Sequence, residues 1–105
     1  MNMHVDNNTS FRDKIRLEGV TLVEFGAVWC PPCKVLLPIL EELDREYEDK
    51  LSLVKVDCDD SPEVAAEYGI MSMPTVIVFH NGEPVEKLVG LRPKGVYETL
   101  LLRYV

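Results

Sequence analysis

The sequence predicts an α/β domain in which a mixed central β-sheet is flanked by helices. Three observations lead there. Residues 20–25 and 75–79 are mainly apolar runs of strand length, and 51–57 reads as a further strand. The segments between them open on Cys30-Pro31 and Ser61-Pro62, the chemistry of helix starts. Finally, Asn81-Gly82 joins 75–79 to a further strand at 85–89 and is the strongest short hairpin signal in the chain. Helical crossovers make neighbouring strands parallel and a tight hairpin makes them antiparallel, so the sheet must be mixed.

In chain order, residues 1–9 read as a loose N-terminal arm or a short edge strand, and residues 10–105 as the folded domain. Ser10 can cap a helix over 10–17, with Gly19 just past its end. The strand at 20–25 carries an acid, Glu24, in an otherwise apolar run. The next helix repeats Leu36, Ile39, Leu40, Leu43 and Tyr47 at spacings of three and four, a stripe that must face the sheet, while Glu41, Glu42, Asp44, Arg45, Glu46 and Glu48 form a charged, solvated face. Pro38 lies inside this helix and predicts a kink. After the strand at 51–57, Pro62 opens a helix that Gly69 stops. Val76 to Phe79 has no polar interruption, which suits a strand buried on both faces. Pro93 opens a last helix over 94–104, with Val96, Leu100 and Leu101 facing in.

The bulk properties narrow the function. A chain of 105 residues with 47% hydrophobic and 28% charged residues is one globular domain. Its net charge of −7 argues against nucleic acid as a partner. No apolar stretch is long enough to span a membrane, and the N-terminus has neither a cationic start nor an apolar run, so the expected compartment is the cytoplasm. The protein is expected to be a monomer. In a reducing compartment three cysteines are not a structural framework, which points to catalysis or metal.

Trp29-Cys30-Pro31-Pro32-Cys33 carries the chemistry. Pro at the first helical position gives up an amide that was unpaired anyway, so Cys30 can be the N-cap. Cys33, three residues on, lies on the same side and can bond to it or stay reduced beside it. The helix dipole and the free amides of the first turn favour a thiolate at Cys30, with the Cys33 amide as the natural donor because Pro31 has none. Competing readings are inert buried thiols, half a zinc site, and a binding surface indifferent to redox state. Glu24 sits where burial raises a carboxyl toward neutrality; its alternative role is a structural ion pair in the sheet.

These residues, together with Glu24-Phe25, Ala27, Lys34, Pro38, Lys55, Asp57, Tyr68-Gly69-Ile70, Met73-Pro74-Thr75, Phe79, Asn81-Gly82 and Gly90, resemble the thioredoxin family from about Phe11 onward. The resemblance implies the thioredoxin fold and a protein-disulfide reductase with no cofactor, fed by a separate reductase; an oxidase or isomerase is the alternative direction. It implies Cys30 as nucleophile, Cys33 as the resolving thiol, Glu24 as its proton acceptor and Lys55 as an electrostatic tuner of Glu24. It further implies a cis Met73-Pro74 bond and a substrate groove of Trp29, Pro31, Pro32, Met71, Met73, Pro74, Gly90 and Leu91. Two residues depart from the family: Glu24 stands where Asp is usual, and Gly26 where many relatives carry a bulky aromatic. Cys58 matches no family motif and reads as a half-buried structural thiol.

Overall fold

The computed structural model describes residues 2–5 and 8–105, with side chains from residue 11 onward. Met1, Asp6 and Asn7 of the predicted arm, and the side chains of His4 and Ser10, lie outside the described residues. The elements are β1 (Asn2–Val5), α1 (Asn8–Lys14), β2 (Val20–Gly26), α2 (Pro31–Tyr47), β3 (Leu51–Asp57), α3 (Pro62–Glu67), β4 (Thr75–His80), β5 (Glu83–Val89) and α4 (Lys94–Leu101). They form one five-stranded sheet in the order β1-β3-β2-β4-β5. β1, β3 and β2 run parallel, whereas β4 and β5 are antiparallel to their neighbours.

Side-chain alternation along β2 sorts the core into two layers. Val20 and Leu22 point to one face, where Leu36, Leu40 and Leu43 of α2 meet Leu51, Leu53, Val76, Val78, Leu88, Tyr97 and Leu101. Val23 and Phe25 point to the other, against Phe11, Val54, Val56, Val64, Ile77 and Phe79. There Phe11, Phe25, Tyr68 and Phe79 pack with ring centroids 5.4–6.4 Å apart. The same alternation turns Glu24 and Gly26 toward the α2 layer. This layer therefore changes from apolar to polar at the end of β2 nearest the start of α2.

The first helix lies earlier than expected. It begins at Asn8, so Ser10 is inside it rather than its cap, and it ends at Lys14 rather than Leu17. The Arg16 N–H donates to Thr21 Oγ1 at 3.0 Å instead of to a helical carbonyl, and Leu17 is left exposed. α2 runs unbroken through the exposed Pro38. α4 is shorter than predicted and buries Tyr97 and Leu101, while Val96 is exposed, a correction to the inward face assigned to it. Lys94 sits between Glu42 and Glu46 and ties α4 to α2.

Tyr97 is fully buried, and its hydroxyl has no hydrogen-bond partner among the described residues. Burial, the main cause, pushes its ionisation up to about 12. A desolvated hydroxyl without a partner costs free energy that a phenyl ring does not. Tyr97→Phe is therefore expected to raise unfolding stability by about 1 kcal/mol, read as a higher urea midpoint; a lower midpoint would mean that the hydroxyl is paired after all.

Candidate active site

Cys30 is the N-cap of α2, in extended backbone conformation (φ −94°, ψ 107°), with Pro31 and Pro32 in the first turn. The Cys33 N–H donates to Cys30 Sγ at 3.3 Å, the one amide of that turn the two prolines leave for the sulfur. The two cysteines form a disulfide with Cα atoms 5.3 Å apart. They pack with Ala27 and the half-buried Met73. In the closed pair this packing leaves Cys30 4% and Cys33 5% exposed. The rim around them is open: Val28 is 74% and Trp29 61% exposed.

The Met73-Pro74 bond is cis. Gly90 donates its N–H to the Pro74 carbonyl at 2.8 Å, bringing the start of β4 and the end of β5 together beside the cysteines. Of the proposed groove residues, Trp29, Met73, Pro74 and Gly90 thus lie about the disulfide. Pro31, Pro32 and Leu91 are exposed, and Met71, 96% exposed, stands outside the packed cluster.

One contact at the rim was not anticipated from the sequence. Trp29 Nε1 donates to Asp59 Oδ2 at 2.7 Å. Asp59 is itself held because its N–H donates to Asp57 Oδ1 at 2.9 Å, an Asx turn of the kind that an Asp-x-Asp pattern after a strand can signal. The acidic turn 57–60 therefore anchors the indole.

Behind the disulfide, Glu24 is 5% exposed and in register with Lys55 of β3. Burial raises its carboxyl to about 7; Lys55 opposes this and Asp57 adds to it. A pocket of about 300 Å³ opens beside it, lined by Glu24, Gly26, Cys33, Lys55 and Asp57 among others. Cys58 is half-buried and free. Burial, with Glu24, Asp57 and Asp59 adding, pushes its thiol up to about 11. A thiol held this high is almost wholly protonated at pH 7 and a poor nucleophile.

A vicinal cysteine pair at the head of a helix, bonded through sulfur and backed by a carboxyl near neutrality, defines a thiol–disulfide oxidoreductase. Comparison with known proteins agrees. The Thioredoxin family model matches residues 2–102. Thioredoxin of Bacillus subtilis is 49% identical over 88 residues, covering 84% of this chain and 85% of its own. Thioredoxin of Staphylococcus epidermidis is 51% identical over 87 residues, covering 83% of each. Among solved structures, a mutant thioredoxin from Halobacterium salinarum superposes with TM-score 0.89 at 32% identity, over 98% of this chain and 89% of that one. Plasmodium falciparum thioredoxin gives 0.87 at 34% identity, over 98% and 99%. The chain belongs to the thioredoxin family. It is a protein-disulfide oxidoreductase whose active-site cysteine pair is Cys30 and Cys33.

Proposed function

We propose that this protein works as a disulfide reductase with Cys30 as the attacking thiol. The Cys30 thiolate attacks one sulfur of a substrate disulfide, forming a mixed disulfide and releasing the first substrate thiolate. Cys33 then loses its proton to Glu24 and attacks Cys30 Sγ. This closes the Cys30–Cys33 disulfide and releases the second substrate thiolate. Two electrons pass to the substrate, and a separate reductase returns them. The observation that carries the reading is the place of Cys30 at the N-cap of α2, with the Cys33 amide directed at its sulfur. An oriented amide and the positive end of a 17-residue helix both favour the anion that attacks.

Lys55 tunes Glu24 through charge, and Trp29, Pro31, Pro32, Met71, Met73, Pro74, Gly90 and Leu91 receive an extended segment of the substrate. A dithiol that stores its own electron pair needs no bound cofactor. We take the protein to act as a monomer in the cytoplasm, where disulfides are reduced rather than made.

Equilibrating the Cys30/Cys33 couple with a graded thiol redox buffer tests the direction. A reductase is expected near about −270 mV, and a value near about −120 mV would make the protein an oxidant instead.

A further inference from the structure

Gly26 is the last residue of β2, and its backbone is not in the left-handed region that would explain a glycine. The explanation is space. A Cβ at this position would lie 2.6 Å from Glu24 Oε2, 3.2 Å from Glu24 Oε1 and 3.0 Å from Cys33 Sγ. Glu24 and Gly26 share a face of β2, and the Glu24 side chain leans along the strand into the place a side chain at 26 would occupy. The carboxyl and the sulfur converge there from different elements, β2 and α2. They can be no farther apart than the two shortest of those distances laid end to end, the span of a direct contact or one bridging water.

We propose that Gly26 is a positioning residue: by having no side chain, it lets the Glu24 carboxyl lie against Cys33 Sγ and keeps the pocket beside them open to water. This rests on the reading of Glu24 as the group that takes the Cys33 proton. Even a methyl at 26 must push the carboxyl aside, because 2.6 Å is closer than a carbon and an oxygen can approach. The carboxyl that gives way is the far end of a flexible side chain, while Cys33 Sγ, at 3.0 Å, needs to shift by only a few tenths of an ångström. The displacement therefore costs the fold little and the proton transfer much. A glutamate shortened by one methylene withdraws from the contested point, so aspartate at 24 should accept alanine at 26.

Stopped-flow reaction of excess reduced protein with 5,5′-dithiobis(2-nitrobenzoic acid) separates the steps. Release of the first aryl thiolate reads attack by Cys30, and release of the second reads resolution by Cys33. Gly26→Ala is expected to slow the second release roughly tenfold at pH 7, a small part of what a positioned acid–base group contributes. It should also flatten that step's pH dependence and leave the first release unchanged. Gly26→Ala/Glu24→Asp is expected to recover both rate and pH dependence. A Gly26→Ala protein with a wild-type second release overturns the proposal, and so does a double variant that is not rescued or does not fold. If Glu24→Gln itself keeps a wild-type second release, it is the underlying reading of Glu24 that fails, whatever Gly26 does.

Discussion

Glu24→Gln is expected to make the oxidised protein about 3 kcal/mol more stable than wild type at pH 8 and to change its stability little at pH 4. Glu24 is raised from 4.5 to about 7 in the folded chain, chiefly by burial. Below about 4.5 the carboxyl is protonated in both folded and unfolded chains and contributes no pH dependence. Between 4.5 and about 7 the unfolded chain releases the proton while the folded chain retains it, so stability falls as pH rises through this window. Above about 7 both forms are ionised and the full penalty persists. A shift of about 2.5 units at about 1.4 kcal/mol each sets its size. An uncharged amide of the same shape escapes it. Urea unfolding of both proteins across pH 4 to 8 checks this. Parallel stability curves would show that Glu24 is not held neutral by burial.

The second large effect is on turnover. Cys30→Ser is expected to reduce insulin disulfide reduction by more than roughly 10³-fold, because a serine hydroxyl is not ionised at neutral pH and cannot form the mixed disulfide. Global stability offers no competing explanation if the variant retains its cooperative unfolding transition. Residual turnover near that of wild type would move the chemistry away from Cys30.

Much of this architecture was legible because it is local chemistry. Cys30-Pro31 and Ser61-Pro62 start helices, Asn81-Gly82 turns a hairpin with Asn81 at φ 54° and Gly82 at φ 87°, and Val76 to Phe79 is a buried central strand. The failures are tertiary. α1 ends early because the Arg16 N–H finds Thr21, a partner in the next strand. In α4, Val96 with Leu100 and Tyr97 with Leu101 have the same spacing, so periodicity alone cannot choose the buried pair; packing against the α2 layer chooses Tyr97 and Leu101.

The site divides in the same way. The Cys30–Cys33 pairing and the buried acid at 24 follow from spacing and strand context. Asp59 was missed because its bond to Trp29 spans thirty residues. Gly26 was visible only as a missing aromatic. Its neighbours supply the reason: Glu24 shares its strand face, but Cys33 reaches it from α2, and that meeting exists only in the folded chain.

The central claim is that Cys30 attacks and Cys33 resolves, and intact-protein mass spectrometry reads it directly. Reduced Cys33→Ser and Cys30→Ser proteins are mixed with the same disulfide-bonded substrate and quenched with acid. Cys33→Ser is predicted to accumulate a covalent adduct carrying one substrate chain through Cys30, released by added thiol, while Cys30→Ser accumulates none. An adduct that forms on Cys33 in the Cys30→Ser protein, with none on Cys30 in the other, would contradict the account.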